Sequence, residues 1–179
     1  VSFESPAKAP DEMVLENLIS WIDSDNEDLK YFSGTASYKQ NFVLDPSLMK
    51  ENQKLYLDLG RVEVMAEVIL NGQNLGILWN PPFRLDITEF TRQGENKLEI
   101  KVTNLWPNRL IGDAKIPSDV TYEKAGNILE LPDWYKNGQP MPEGNRSTFV
   151  TWEHFDGSEA LLESGLLGPV RVYGSRVIY

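Results

Sequence analysis

The segment VEVMAEVILNG, residues 62–72, determines the fold class of this chain. Every second position from residue 62 to residue 70 is apolar, and Glu63 and Glu67 stand between them. A period of two is that of a β-strand with one buried face. Asn71 and Gly72 both tolerate positive φ and together give the strongest short-range signal for a tight hairpin turn. The segment therefore predicts a strand that turns back into a second strand at residues 75–79.

The same alternation recurs on both sides of this segment. Its apolar positions are Leu55, Leu57 and Leu59 before the segment, and Phe83, Leu85, Ile87, Leu98, Ile100 and Val102 after it. Further strands are expected at residues 1–3, 34–44, 148–152 and 170–179. Helix is expected only as short turns at residues 10–19 and 46–51, the second capped by Asp45. Many short strands separated by turn signals predict an all-β fold of two packed antiparallel sheets.

The bulk composition is that of one ordinary globular domain. The chain has 179 residues, of which 41% are hydrophobic and 25% charged, and this length can bury a core without disulfides or a structural metal. Cysteine is absent, which excludes disulfides and thiolate chemistry. The net charge of −10 argues against nucleic acid and anionic membrane surfaces as partners, and no apolar run could span a bilayer. A neutral ligand such as a sugar is compatible with this charge.

Motifs for catalysis or cofactor binding are missing from the sequence. Nucleophile-elbow, phosphate-loop and dinucleotide fingerprints do not occur, and His154 is the single histidine. The acidic stretch at residues 23–28 is calcium-loop-like, but Asp28 stands where an EF-hand needs Gly, and Gly34 stands where it needs Glu. A solvated acidic turn is expected there instead. We expect no cofactor, no metal and no catalytic residue in this chain.

Residues 104–147 break the strand pattern and are rich in Pro, Gly and Asn, with several aromatic residues among them. A structureless stretch of this length inside a compact domain is usually functional or packed by its own side chains. It is too aromatic for a disordered linker. We therefore expect a long irregular loop whose first part, just after the strand that ends near residue 102, lies at one end of the sandwich.

Three segments combine side chains that suit sugar recognition, because pyranose rings stack on aromatic rings and their hydroxyls pair with Asn, Asp and Arg. They span residues 79–84, 104–109 and 152–155. The alternative is that their tryptophans are core or interface plugs, with the two arginines paired to surface acids. The candidate residues for carbohydrate binding or for a domain interface are Trp79, Asn80, Arg84, Asn104, Trp106, Asn108, Arg109, Trp152 and His154.

Five short sequence strings are typical of one known domain family: YFSGTASY at 31–38, LDLGRV at 57–62, VILNG at 68–72, FRLDIT at 83–88 and GEN at 94–96. Together they resemble the sugar-binding domain of family 2 glycoside hydrolases. Two more particular strings are NLWPNRLIGD at 104–113 and SGLLGPV at 164–170. These are similar to the C-terminal region of large bacterial α-L-rhamnosidase-like enzymes, those of family 106 and their relatives. The likeness covers about residues 1–172.

The resemblance implies a galactose-binding-like jelly-roll β-sandwich with long irregular loops. It implies one domain over residues 1–179, cut from a larger glycoside hydrolase and attached there to a separate catalytic barrel. Export to the bacterial periplasm or outside, and action on plant or other complex polysaccharides, are implied as well. The catalytic carboxylates of those families lie in the barrel, so this chain alone is expected to be non-catalytic.

The expected partners are therefore carbohydrate and the catalytic barrel of the same polypeptide. The expected role is that of an accessory sugar-binding domain whose loops support or shape the active site of the barrel. Two alternatives stay open: a purely structural domain that packs on the barrel, and an autonomous carbohydrate-binding module.

Overall fold

The computed structural model describes residues 1–5, 8–48, 53–118, 120–142, 144 and 146–176. Within these residues the strands are β1 (Ser2–Glu4), β2 (Thr35–Val43), β3 (Gln53–Asp58), β4 (Arg61–Glu63), β5 (Met65–Leu70), β6 (Gln73–Leu78), β7 (Arg84–Asp86), β8 (Glu95–Thr103), β9 (Gly165–Gly168) and β10 (Arg171–Arg176). The α-helices are α1 (Glu27–Lys30), α2 (Pro107–Ala114) and α3 (Asp133–Lys136), with 3-10 turns at Trp21–Asp23 and Pro46–Leu48. The expectation of an all-β fold with a small helical fraction is confirmed.

Two antiparallel sheets enclose one core. The larger has five strands in the order β1-β2-β8-β5-β6, and the smaller has three in the order β10-β3-β7. The longest pairing joins β2 to β8, from Thr35 opposite Thr103 to Val43 opposite Glu95. A separate two-stranded ribbon pairs β4 with β9. The arrangement is the predicted sandwich, with the ribbon added to it.

The alternating side chains build the core between the sheets. Leu57 of β3 is 1% exposed, and Val68 of β5 and Val102 of β8 are fully buried; each buried side chain of this kind stabilises the fold by about 1.5–3 kcal/mol. Two aromatic side chains of this core are hydrogen-bonded to each other: Trp21 Nε1 donates to the Tyr38 hydroxyl over 2.6 Å, and that hydroxyl also accepts from the Leu166 amide. Burial raises the pKa of Tyr38, against the opposing effect of these hydrogen bonds.

The Asn71-Gly72 hairpin forms as predicted between β5 and β6. Both residues have left-handed φ, 54° for Asn71 and 83° for Gly72. The Asn71 side chain also holds the turn against neighbouring chain: its Nδ2 donates to the Phe90 carbonyl over 2.8 Å, and its Oδ1 accepts from the Lys97 amide over 3.0 Å. Asn71 thus fixes both the turn and the start of β8.

The segment around residues 62–70 keeps its predicted alternation but is divided between two strands. Val62 belongs to β4, which pairs with β9, whereas Ala66 and Val68 belong to β5, which pairs with β6 and β8. The chain therefore leaves one sheet and enters another at Val64. Periodicity could not reveal this break, because the same face stays buried on both sides of it.

Three local predictions before residue 60 had different outcomes. The helical turn at residues 10–19 is wrong: the turns come later, at Trp21–Asp23 and at α1, where the Asn26 side chain accepts from the Asp28 amide over 2.9 Å. The turn beginning at Pro46 is confirmed to Leu48, with Asp45 Oδ1 accepting from the Ser47 amide over 2.8 Å; its last residues lie outside the described ones. The strand at residues 34–44 is confirmed as β2.

The segment at residues 104–147 is irregular over much of its described length, as predicted, but two helices that were not predicted, α2 and α3, lie within it. Helix α2 begins at Pro107, a residue suited to the first helical turn. Its buried face carries Asn108, Arg109 and Asp113 alongside Ile111, so a search for apolar residues at helical spacing misses it. The predicted strand at residues 148–152 is also absent: only Trp152 pairs, in an isolated bridge to Asn127.

The last predicted strand, at residues 170–179, is observed as β10 over Arg171–Arg176, and residues 177–179 lie outside the described chain. No helix in the described ranges is both long and apolar enough for a membrane span.

Candidate functional site

An open cleft of about 410 Å³ lies beside the first predicted site segment. It is lined by residues 60–64 together with Trp79, Pro81 and Phe83, and we call it the Trp79 cleft. Trp79 follows the last residue of β6 and is 72% exposed, while Phe83 is 7% exposed. The two prolines after Asn80 restrict the backbone of this wall. The cleft thus presents an exposed indole from a stiff segment.

Arg61 and Glu63 form the charged side of the Trp79 cleft, and Arg61 is also paired with Glu163, which lines the neighbouring cleft at residues 162–164. Arg61 Nη2 lies 3.1 Å from Glu63 Oε1 and 2.5 Å from Glu163 Oε2. The hydrogen bonds to Glu163 and then to Glu63 raise the pKa of Arg61 above its already high ordinary value. With two carboxylates against one guanidinium, the three groups carry a net charge of −1.

A second cleft, of about 210 Å³, lies next to the first. Glu63 and Val64 line both clefts. The other walls of the second cleft are formed by residues 104, 105, 107, 108 and 162–164, and we call it the Leu105 cleft. Leu105 is 52% exposed and Leu162 is 49% exposed. Two apolar side chains therefore face solvent next to the charged cleft.

Two of the three asparagines predicted as sugar or interface contacts are occupied by internal hydrogen bonds. Asn104 Oδ1 accepts from the Gly34 amide over 3.0 Å, and its Nδ2 donates to the Phe32 carbonyl over 2.8 Å. Asn108 is 2% exposed; its Nδ2 donates to the Leu162 carbonyl over 2.7 Å and its Oδ1 accepts from the Leu162 amide over 2.8 Å. Both side chains thereby position the walls of the Leu105 cleft.

Arg109 lies inside the protein, on the buried face of α2. It is 6% exposed and its Nη2 lies 2.9 Å from Asp113 Oδ1, one turn further along the helix. Asp113 Oδ2 in turn accepts from the Ser147 amide over 2.9 Å and from the Thr148 amide over 2.7 Å. The alternative prediction, that Arg109 pairs with an acid, is correct in the pairing but not in its place. The acid, Asp113, is buried, and it also holds the distant segment at residues 147–148.

Arg84 and Asn80 belong to the outside of the sandwich. Arg84 Nη1 donates to the Tyr173 hydroxyl over 2.7 Å, and its guanidinium lies 5.7 Å from the centre of the Tyr56 ring. The hydrogen bond to Tyr173 is the main cause of a raised pKa for Arg84. Asn80 is exposed, and its Nδ2 donates to the Pro81 carbonyl over 3.2 Å.

The third predicted segment stands apart from the first two. The rings of Trp152 and His154 lie 4.2 Å apart, and Trp152 Nε1 donates to the Ala125 carbonyl over 3.0 Å. His154 lines a different, smaller hollow together with Asp113 and Arg146. Trp106 is 44% exposed but lines neither the Trp79 cleft nor the Leu105 cleft among the described residues. The structure therefore places the segments at 79–84 and 104–109 on neighbouring clefts, and the segment at 152–155 elsewhere.

Sequence reasoning missed the charged residues of the clefts, which are Arg61, Glu63 and Glu163. Arg61 and Glu163 are 102 positions apart in the chain, and the pairing of β4 with β9 brings them together. No local pattern marks such a pair, although the SGLLGPV string did mark the strand that follows Glu163. Among the described residues, no group of three or more His, Cys, Asp or Glu side chains could hold a metal ion.

Comparison with known proteins gives consistent matches over most of the chain. The family model described as "Glycosyl hydrolase 2 galactose-binding domain-like" matches residues 8–133. A curated protein of Formosa agariphila named "Putative beta-glucuronidase" is 52% identical over 173 residues, which is 96% of this chain and 15% of that protein.

Solved structures agree with this match. A rhamnosidase from Novosphingobium sp. PP1Y superposes with a TM-score of 0.77 and 33% identity over 97% of this chain and 14% of its own. The β-glucuronidase of Bifidobacterium dentium, complexed with coumarin-3-O-glucuronide, superposes with a TM-score of 0.53 over 91% of this chain and 24% of its own. At 21% identity the latter likeness is one of fold alone. The chain thus spans a small part of each of these relatives.

Proposed function

This chain belongs to the glycosyl hydrolase 2 galactose-binding domain-like family, and from that premise we propose that it is an accessory domain of a larger glycoside hydrolase. In this proposal the Trp79 cleft contacts carbohydrate and helps to shape the active site of a separate catalytic barrel. Residues 1–179 form one domain of that enzyme, and the domain itself is non-catalytic. The family membership and the small share that the chain takes of its relatives support this view.

The parent enzyme in this proposal is α-L-rhamnosidase-like and acts on complex polysaccharides in the periplasm or outside the cell. The similarity to the Novosphingobium rhamnosidase along nearly the whole chain supports the rhamnosidase-like class. The family 106 relationship and a position in the C-terminal region of the enzyme rest on the strings at residues 104–113 and 164–170. The proposed location, the periplasm or the outside of the cell, rests on the proposed substrate, because complex polysaccharides are found outside the cell.

The observation that carries the carbohydrate role is the composition of the Trp79 cleft. An indole that is 72% exposed offers a flat face to the C–H side of a pyranose ring. Glu63 in the wall of this cleft, and Glu163 on the other side of Arg61, offer carboxylate oxygens, which accept hydrogen bonds from sugar hydroxyls. The cleft volume of about 410 Å³ falls in the range of small-molecule sites.

The Leu105 cleft favours a second role, docking against the barrel. Its exposed side chains, Leu105 and Leu162, are apolar, and the polar side chains of Asn104 and Asn108 are occupied internally. Exposed apolar groups beside a polar rim are typical of protein interfaces. Since Glu63 and Val64 line both clefts, one surface docks on the barrel and presents sugar contacts at the same place.

Variants of the full-length enzyme test both roles. Trp79→Ala is expected to raise KM or weaken saccharide binding at least tenfold while leaving the melting temperature nearly unchanged. Leu105→Ala is expected to lower the melting temperature and to make the domain more susceptible to proteolysis, with activity falling as a consequence. Trp152→Ala, an exposed tryptophan away from both clefts, serves as the control. Normal activity and stability in both cleft variants would refute the proposed function.

A further inference from the structure

The charge arrangement of the Trp79 cleft restricts the kind of sugar it can take. Arg61 is the one cation among the described residues that line this cleft, and its Nη2 already contacts both Glu63 and Glu163. Recognition of a carboxylate normally uses the two parallel N–H groups of a free guanidinium. A sugar carboxylate could form such a bidentate contact with Arg61 only by displacing one of the two glutamates from Nη2.

The electrostatic field at the cleft opposes an anionic ligand in a second way. Glu63 and Glu163 leave a net charge of −1 around Arg61, in the wall of the cleft, and the whole chain carries −10. A negatively charged sugar is repelled by both, and the repulsion is strongest at low ionic strength. A neutral sugar experiences neither effect, and its hydroxyls are hydrogen-bond donors for the glutamate oxygens that Arg61 leaves available.

We infer that the Trp79 cleft binds a neutral, hydroxyl-rich saccharide and discriminates against uronic acids. This inference rests on the proposed function and deepens it, because it names the class of sugar that the accessory domain contacts. The inference concerns the sugar bound in this cleft. It makes no statement about the sugar unit that the barrel hydrolyses, which is what the name of a β-glucuronidase refers to. The stiff backbone at Pro81 and Pro82 reduces the entropy lost on binding.

The test compares matched ligands on this 179-residue chain. Methyl glycosides of glucose, galactose and mannose are titrated alongside the corresponding methyl uronosides, which differ only in the oxidation of C6; methyl α-L-rhamnoside is added as a further neutral ligand. Binding is followed through the ¹H–¹⁵N resonance of the Trp79 indole. At least one neutral glycoside is expected to shift this resonance with a millimolar Kd, and its uronoside is expected to bind at least tenfold more weakly.

Three variants locate the effect. Trp79→Ala lacks the indole, so it is followed through the backbone amides of residues 60–64, and it is expected to abolish binding. Trp152→Ala is expected to leave binding unchanged. Glu163→Gln removes one negative charge from the cleft, so the discrimination against the uronoside is expected to shrink severalfold, as it should in wild type when salt is raised to 0.5 M. An unchanged ¹H–¹⁵N spectrum away from the cleft shows that each variant is folded.

Two results overturn the inference. One is a uronoside that binds as tightly as its neutral partner or more tightly; the accessory carbohydrate role would then survive with a different ligand class. The other is that no neutral glycoside shifts the Trp79 resonance. The proposed function fails separately, if Trp79→Ala and Leu105→Ala leave the full-length enzyme unaffected.

Discussion

Replacing Asn108 by alanine removes the side chain that ties helix α2 to residues 162–164. Asn108 makes three hydrogen bonds there: Nδ2 to the Leu162 carbonyl over 2.7 Å, Nδ2 to Ser164 Oγ over 3.0 Å, and Oδ1 from the Leu162 amide over 2.8 Å. The side chain is 2% exposed, so water cannot easily replace it. The expected consequence is a loss of stability with no direct effect on ligand contacts.

The size of the loss follows from which atoms keep partners. The Leu162 carbonyl still accepts from Ser164 Oγ over 3.1 Å, whereas the Leu162 amide loses the side-chain acceptor that the structure gives it. An unsatisfied buried donor costs about 1–3 kcal/mol, and each lost hydrogen bond contributes about 1 kcal/mol more. Because Leu162 is partly exposed, we expect a total of about 2–4 kcal/mol, or a fall of about 4–16 °C in melting temperature for a chain of this length.

Urea unfolding of wild type, Asn108→Ala and Asn80→Ala measures this difference. Asn80 is the matched control, because it is exposed and bonds only to the adjacent Pro81 carbonyl in the described contacts; its loss is expected to stay within about 0.5 kcal/mol. If Asn108→Ala destabilises by less than about 1 kcal/mol while saccharide binding disappears, the internal role assigned to Asn108 is wrong and it is a ligand residue.

Two further predictions concern the fold. Gly165→Ala is expected to destabilise the fold by more than about 4 kcal/mol, or to prevent folding, because Gly165 has φ +100° and an added Cβ would overlap the buried Trp21 indole. The control is Gly138→Ala. Gly138 has φ +64° and open space around it, so this change should cost about 1–2 kcal/mol in the same unfolding assay. Asp86→Asn is expected to flatten the acid limb of a stability–pH profile. Burial raises the pKa of Asp86, but hydrogen bonds from Lys54 and Thr88 outweigh it and lower the pKa below its usual range. The stabilisation is then present above the unfolded pKa of about 3.9 and is lost as the pH falls through the lower folded value; parallel acid limbs in both proteins would contradict this.

The sandwich could be predicted because its information is local. Alternation in β3, β5 and β8 determines which face is buried, and the Asn71-Gly72 turn sets the register of one hairpin. These features depend on neighbouring residues only. Alternation cannot show that β4 and β5 belong to different sheets, because the same face stays buried on both sides of Val64, where the chain passes from one to the other.

Helix α2 was missed for a different reason. Periodicity detects helices by an apolar stripe, but the buried face of α2 includes Asn108, Arg109 and Asp113. Their burial is acceptable only because remote segments supply partners, such as Leu162 for Asn108 and Thr148 for Asp113. Those partners lie dozens of residues away, so the helix becomes evident only once the fold is known.

The same dependence explains the clefts. Trp79 was identified by its own chemistry, as an aromatic residue in a loop, yet the charges that decide its ligand come from Arg61 and Glu163. Glu163 is next to Ser164, whose Oγ accepts from Asn108 Nδ2, and so its place opposite Arg61 depends on the polar face of α2. The irregular segment after β8 therefore acts as the support of the site. Loosening α2 should blur the discrimination between neutral and acidic sugars even though no residue of α2 touches Arg61 in the described contacts.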